Sequence, residues 1–322
     1  MLFKALTGAI AVAVMATAAL AETPVLRVAV LKFGTVNWEL DTIKHNRFDV
    51  DHAFELQVQG VAGGSAAKVA FQGGEADVIV SDWLWVARQR AAGKNYVFIP
   101  YSKAVGSVMV PQDSPAQSLA DLVGTKIGIA GGPLDKSWLI LQAYAAQAHG
   151  ADLVAETEQV FAAPPLIFKS ALSGEVDAAI NFWHFLAKME ASGMRKLVDV
   201  ADAATALGLD PNTPLLGYVV KGEMVRDKPD LVNGLAAASR DAKDLLASDD
   251  AEWNRLRGRM NAKSDAQFEA LKAGFRAGIP APGSVDEDAA ARMLALMVEL
   301  GGEDLVGDAR ELPAGTFLNS GS

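Results

Sequence analysis

The phrase QGGEADVIVSDWLW occupies residues 72–85, and a closely similar phrase, LSGEVDAAINFWHF, occupies residues 172–185. In both copies glycine, Glu and Asp precede a short apolar run, and polar and aromatic residues follow it. This order is typical of a helix that stops at glycine, then a buried strand, then the loop at the carboxyl end of that strand. The chain therefore predicts two similar α/β halves.

Around each phrase, apolar runs with strand character alternate with stretches of helical periodicity. The runs at 25–33 and 54–61 belong to the first half, and those at 125–132 and 194–200 belong to the second. Such alternation indicates βαβ units and mostly parallel sheets. From residue 228 onward the apolar spacing is helical.

The predicted architecture is an α/β fold of two lobes with mostly parallel sheets around a ligand cleft, and a helical C-terminal part. The predicted boundaries are a signal peptide at 1–21, a first lobe at 22–104, a second lobe at 105–215, and a return to the first lobe with the C-terminal helices at 216–322.

Composition limits the function. The chain has 322 residues, 51% hydrophobic and 21% charged, with a formal net charge of −10, which argues against nucleic acid or an anionic membrane as a partner. It has no cysteine, which excludes disulfides, thiolate metal sites and a cysteine nucleophile. The four histidines are scattered, so neither a metal site nor a cofactor is predicted.

The first residues have the pattern of a secretory signal. Lys4 is followed by a short apolar run that ends in a small-residue cleavage site at Ala19–Ala21. The alternative, a membrane anchor, is disfavoured because the run is short and rich in Ala, Gly and Thr. The prediction is an exported periplasmic protein, cleaved near Ala21.

The order LRVAVLKFG, GGSAAKVAFQGGEADVIVSD, SLADLVGTKIGIAGGPLDKSWLIL and FKSALSGEVDAAINFW resembles the periplasmic substrate-binding proteins of ABC importers, over about residues 25–222. Within them it is similar to the NitT/TauT group, whose members bind sulfonates, taurine, nitrate or thiamine pyrimidines. The resemblance implies a type II periplasmic-binding-protein fold. It also implies a small-molecule ligand held between closing lobes and delivery to ABC permease and ATPase subunits at the inner membrane.

Ligands of open parallel sheets bind outside the carboxyl ends of the strands. Together with the resemblance, this rule selects strand ends and helix starts from both halves. Trp83 and Trp85 are two residues apart on a predicted helix, so at most one faces the cleft, and Trp83 is nearer the strand end. The candidate ligand-binding residues are Asn37, Trp38, Ser65, Ser81, Asp82, Trp83, Asp135, Ser137, Asn181 and Trp183.

The charge of the ligand can be argued in two ways. Asp82 and Asp135, with Lys136 as the only cation in these stretches, favour a nitrogen-containing solute, an amine or a pyrimidine-like compound held by charge pairing and cation–π contact. The alternative is a small oxyanion such as a sulfonate, nitrate or bicarbonate, held at the glycine-led helix starts near Gly63 and Gly131. N-capping by Ser65 or Asp135 explains the same helix starts without any ligand.

Two other classes of function share part of the pattern. Pyrimidine-precursor synthases resemble these binders but rely on a cysteine-rich motif, which this chain lacks. A periplasmic sensor domain would need a membrane segment or an output domain. We therefore expect a monomeric binding protein without catalytic activity, although a binder that presents its ligand to a receptor stays open.

Overall fold

The computed structural model describes residues 23–318, so the predicted signal peptide lies outside the described residues. Two five-stranded sheets form its framework. In chain order the strands are β1 (Val25–Leu31), β2 (Glu55–Val61), β3 (Val78–Asp82), β4 (Tyr96–Ser102), β5 (Ser107–Pro111), β6 (Lys126–Ala130), β7 (Glu158–Ala162), β8 (Ala178–Ile180), β9 (Met194–Asp199) and β10 (Leu216–Lys221).

Helices connect and cover the strands, and two short 3₁₀ helices lie at Leu119–Leu122 and Arg257–Arg259. The α-helices are α1 (Val36–Asn46), α2 (Phe48–Asp51), α3 (Gly64–Gly73), α4 (Trp83–Ala91), α5 (Lys136–His149), α6 (Leu153–Glu156), α7 (Pro164–Ser173), α8 (Trp183–Glu190), α9 (Val200–Ala206), α10 (Gly222–Asp227), α11 (Pro229–Ser248), α12 (Asp250–Leu256), α13 (Asp265–Ala277) and α14 (Glu287–Val306).

The two sheets have the same topology. The first has the order β2-β1-β3-β10-β4 and the second the order β7-β6-β8-β5-β9. In the first sheet β10 runs antiparallel to both of its neighbours, and in the second β5 does the same. We call the first sheet with its helices the first lobe, and the second sheet with its helices the second lobe. The predicted fold of two α/β lobes with mostly parallel sheets is confirmed.

The repeated phrase builds the same turn in both lobes. Gly74 and Gly174 follow α3 and α7 with φ of 81° and 73°, a left-handed conformation that glycine adopts without strain. Asp77 then accepts a hydrogen bond from the backbone N–H of Arg27 at 3.0 Å, and Asp177 accepts one from Lys126 at 2.8 Å. Each Asp thus fixes the start of the neighbouring strand, and both helices end at the glycine as the sequence predicts.

A buried ion pair stabilises the first lobe. Lys243 of α11 lies 2.8 Å from Glu39 of α1, and both side chains are almost fully buried. The hydroxyls of Tyr218 and Ser239 donate to the same carboxylate at 2.8 Å and 2.6 Å. The pair joins α1, β10 and α11 in one polar network inside an otherwise apolar core.

The C-terminal part completes the first lobe and also reaches the second. The buried residues of α11, α12 and α13 belong to the core beneath β1, β3 and β10. Met293 and Met297 of α14 instead lie beside Leu84 of α4 and Ile140 of α5, so α14 touches both lobes. After α14, Phe317 packs on Trp83 at 5.7 Å and pairs with Phe98 at the edge of β4.

Two segments cross between the lobes, at 103–106 and at 207–215. Lys103 on the first donates to the side chain of Asn212 on the second, at 2.8 Å. Gly106 lies so close to the carbonyl oxygen of Asn181 that a Cβ would stand 2.7 Å from it. The first crossing segment therefore lies directly against the end of β8, where the candidate residue Asn181 stands.

Candidate functional site

An ion pair between the lobes marks the centre of the candidate site. The ammonium of Lys136, at the start of α5, lies 3.2 Å from Oδ2 of Asp82, at the end of β3. Both side chains are mostly buried, with 26% and 15% exposed. A side chain from each lobe thus meets at the carboxyl ends of the strands, where ligands of such sheets bind.

Asp82 also caps the helix that follows it. Its Oδ1 accepts a hydrogen bond from the backbone N–H of Trp85 at 2.9 Å. Burial by itself raises the pKa of Asp82, but Lys136, the Trp85 N–H and Lys68 together lower it below the ordinary value. The side chain is therefore a carboxylate, with both oxygens already in contact with donors.

Asp135 has the same role at the start of α5. Its Oδ1 accepts a hydrogen bond from the backbone N–H of Trp138 at 3.1 Å. Burial raises the pKa of Asp135 above its ordinary value, and the nearby Asp82 carboxylate acts in the same direction. The two carboxylates that were expected to bind a solute each satisfy a helix start.

Lys68 is a second cation at the site, and the sequence did not reveal it. It lies on α3, with its ammonium 4.8 Å from the centre of the Trp85 ring. Burial lowers the pKa of Lys68, the Asp82 carboxylate raises it, and Lys136 and Arg88 lower it further. We call Lys68, Asp82 and Lys136 the charged cluster.

The helix that carries Lys68 begins without a side-chain cap. Gly63 is its N-cap residue, and Ser65 is exposed and gives no capping hydrogen bond. Lys68 is three residues beyond Ser65, so the two lie on the same face of α3. A search for cations one turn after each glycine-led helix start would have found it.

Asn37 and Asn181 hold the loops in which they stand. The amide nitrogen of Asn37 donates to the carbonyl oxygens of Leu31 and Gly34, both at 2.8 Å. The amide nitrogen of Asn181 donates to Pro164 at 2.9 Å, and its oxygen accepts from the backbone N–H of Phe182 at 2.8 Å. These contacts engage the amide nitrogen of Asn37 and both polar atoms of Asn181, and they hold the loops that follow β1 and β8.

The candidate serines differ in access. Ser81 is buried, with 7% exposed, and Ser137 is half-buried near Gly106 of the crossing segment. Ser137 and the exposed Ser65 are therefore open to a solute, whereas Ser81 belongs to the wall beneath Asp82.

The candidate tryptophans lie mainly in apolar contacts. Trp83 is fully buried and packs on Phe317 at 5.7 Å, so it presents no exposed face at the cleft in this structure. The half-buried Trp85 reaches the charged cluster instead. Trp38 is 5% exposed and packs on Trp253 at 6.0 Å in the core of the first lobe.

Trp183 forms a contact between the lobes. It belongs to α8 of the second lobe, and its ring lies edge-on to Trp38 of the first lobe at 6.0 Å. Gly274 of α13 makes room for it, because a Cβ there would stand 2.7 Å from Trp183 Cζ3. The half-buried His184 lies next to it, and burial together with Lys188 lowers its pKa to about 4.

Neither a metal-ligand cluster nor a membrane-spanning helix occurs in the part of the chain that the structure describes. Residues 23–318 contain no group of three or more His, Cys, Asp or Glu side chains arranged to hold a metal ion. Over the same residues, no helix combines the length and apolar character needed to cross a membrane.

Comparison with known sequences identifies one family. Residues 51–252 match the family described as NMT1/THI5 like. A search of curated proteins by sequence finds no significant match.

Comparison of the whole fold with solved structures gives long alignments at low identity. The alkanesulfonate-binding protein SsuA from Xanthomonas axonopodis pv. citri, bound to MOPS, aligns with a TM-score of 0.70 and 18% identity, covering 93% of this chain and 100% of its own. The periplasmic aliphatic sulphonate binding protein SsuA from Escherichia coli gives 0.70 and 18%, covering 90% and 98%. A protein from Bordetella bronchiseptica RB50 gives 0.71 and 22%, covering 92% and 95%. These values show a shared fold.

Proposed function

Because the chain belongs to the NMT1/THI5-like family, we propose that it is the solute-binding component of an ABC-type import system. The observation that carries the proposal is the charged cluster, which brings polar side chains of both lobes together in the cleft. A solute that contacts both lobes stabilises their closed arrangement by the contacts absent from the open one. Closure would then be the signal that a membrane permease recognises.

The cleft favours a solute with an anionic group. Asp82 already contacts Lys136 and the Trp85 N–H, and Asp135 contacts the Trp138 N–H. Among residues 23–318, by contrast, no carboxylate lies within ion-pair distance of the Lys68 ammonium. Lys68 and the uncapped start of α3 therefore offer donors to a sulfonate or carboxylate.

A nitrogen-containing solute is the second candidate, and the charged cluster gives it a specific basis. An amine or pyrimidine-like group could replace a lysine ammonium beside Asp82, against the face of Trp85, which already holds a cation at 4.8 Å. Such a ligand would need to break the pair between Lys136 and Asp82, which the anion does not require. For this reason we place the anion first.

The same proposal includes location and partners. A secretory signal at 1–21 would export the chain to the periplasm. There a monomer would deliver the solute to the permease of the inner membrane, which works with ATPase subunits. We propose binding rather than catalysis. The synthases that resemble these binders depend on a cysteine-rich motif, and this chain contains no cysteine.

The test is a thermal-shift screen of the chain from residue 22 onward. Sulfonates, carboxylates, nitrate and bicarbonate form one panel, and amines and thiamine precursors form the other. A ligand at 100 times its dissociation constant adds about 2.7 kcal/mol to the free energy of unfolding, which is visible as a rise in melting temperature.

Variants assign the charge partner. We expect Lys68→Met to abolish the shift with anions and Asp82→Asn to leave most of it. Lys126→Met is the matched control, because Lys126 forms an exposed pair with Glu158 at the amino ends of β6 and β7, opposite the carboxyl ends where the charged cluster lies. The reverse result, loss with Asp82→Asn alone and a shift only with amines, would favour the nitrogen-containing solute. No shift with any compound of either panel would contradict the proposed function.

A further inference from the structure

A small cavity adjoins the charged cluster. Its volume is about 20 Å³, room for a group the size of one water molecule. Its wall is mostly apolar and comes from both lobes and from α14. The residues that matter here are Leu84, Lys136, Ile140, Thr213, Met293 and Met297.

Thr213 is a polar residue in the lining of this cavity. It lies on the returning crossing segment, is 6% exposed, and its Oγ1 is buried without a hydrogen-bond partner among the described residues. Buried hydroxyls are nearly always hydrogen-bonded, because leaving one unpaired is unfavourable. Thr213 is also a lining residue of the cavity, and an unpaired hydroxyl on a lining residue points to a group that enters the cavity.

Lys136 connects the cavity to the charged cluster. It lines the cavity and also pairs with Asp82 at 3.2 Å. A solute whose charged group lies at the cluster can therefore extend past Lys136 into the cavity. There its end would touch Leu84 of the first lobe and Ile140 of the second.

We propose that Thr213 and this cavity form the subsite for the uncharged end of the solute, and that this end is a hydrogen-bonding atom on a short apolar stem. The subsite rests on the proposed function and deepens it. Its chemical class is a short organic ion with a terminal hydroxyl or a similar polar atom. Its volume excludes a longer chain, because the cavity has room for only one small group.

The first test needs no ligand. Thr213→Val keeps the shape of the side chain and removes the unpaired hydroxyl, so we expect the melting temperature to rise by about 2–4 °C. Thr213→Ser keeps the hydroxyl and should show no such rise. If the hydroxyl instead binds a single structural water, Thr213→Val leaves the melting temperature unchanged or lowers it, and the inference is overturned.

The second test uses matched pairs of probes. The first pair is 2-hydroxyethanesulfonate and propane-1-sulfonate, and the second is ethanolamine and propylamine. In each pair the first compound ends in a hydroxyl, and the second has a methyl group in its place. We expect the wild type to bind the hydroxyl member about 10-fold more tightly, Thr213→Ser to keep this preference, and Thr213→Val to lose it. A wild type that binds both members of a pair equally, or the methyl member better, would overturn the inference.

The two proposals can fail separately. Binding of probes with no change in Thr213→Val contradicts the subsite and leaves the proposed function standing. If no probe raises the melting temperature of the wild type, the ligand classes proposed above fail. A rise in the melting temperature of Thr213→Val would then show only that the hydroxyl is unpaired, and the subsite would fail together with the proposed function.

Discussion

Replacing Gly274 by alanine is expected to push the two lobes apart. Gly274 lies on α13 of the first lobe, against the indole of Trp183 from the second. An added Cβ would stand 2.7 Å from Cζ3 and 2.8 Å from Cε3 of that ring, whereas ordinary contact begins at 3.4 Å. The ring, and the start of α8 with it, must therefore shift by about 0.7 Å.

The size of the effect follows from which arrangement carries the clash. Overpacking of this kind costs about 1–3 kcal/mol, and the cost falls only on the closed arrangement, where Trp183 covers Gly274. Alanine also improves helix propensity by about 1 kcal/mol, but equally in the open and closed arrangements. The ligand affinity should therefore fall by about 5- to 150-fold while the fold stays intact.

Two measurements test this expectation. Small-angle X-ray scattering should give a larger radius of gyration for the ligand-free variant, and calorimetry with the ligand found in the screen should give the weaker affinity. Gly73→Ala is the matched control, because no atom lies within 4 Å of its added Cβ at the end of α3. Adding Trp183→Ala to Gly274→Ala removes the clash, so the two changes should not be additive. Wild-type dimensions and affinity in Gly274→Ala would refute the reasoning.

Three further predictions concern stability and can be measured by urea unfolding. The pKa of His184 is lowered from 6.5 to about 4 in the fold, so the unfolded chain takes up a proton first as the pH falls. His184 should thus lower the free energy of unfolding by about 2–3 kcal/mol between pH 7 and 4.5. His184→Phe should reduce this pH dependence, and an equal dependence in the variant would contradict the lowered pKa of His184. Lys243→Met leaves the buried Glu39 carboxylate without its counter-charge and should lower the free energy of unfolding by about 3–5 kcal/mol. The exposed Lys94→Met is the control and should change it little, and an equally small loss for Lys243→Met would show that the pair is not needed. Phe317→Ala leaves a cavity beside Trp83 and should lower the free energy of unfolding by about 3–5 kcal/mol. Phe33→Ala, at a side chain that is 80% exposed, should change it by no more than about 0.5 kcal/mol, and similar values for both variants would contradict the packing.

The elements of both lobes could be predicted because their signals are local. Gly74 and Gly174 mark helix ends by their own backbone freedom, and the apolar runs after them mark buried strands. The position of α14 could not be predicted in this way. Helical periodicity identifies an apolar face, but it does not say that Met293 and Met297 lie between helices of two different lobes.

The candidate site was harder to predict, for the same reason. Asp82 and Asp135 could be placed at the cleft because Asp82 ends a strand and Asp135 ends the loop after one. Lys68 comes near Asp82 only after α3 packs on β3, and no local pattern encodes that proximity. The spacing of the tryptophans does not predict their contacts either, because Trp38 packs on Trp183 and Trp253, which lie far along the chain.

The placement of β10 has a consequence for how the chain folds. All strands of the second sheet come from residues 107–199, so this lobe can form as soon as that stretch is available. The first sheet is different, because β10 must enter between β3 and β4 long after both have been made. Until then β3 presents an apolar, unpaired edge of the kind that aggregates. Refolding should therefore be biphasic, with the second lobe early and the insertion of β10 as the slow step.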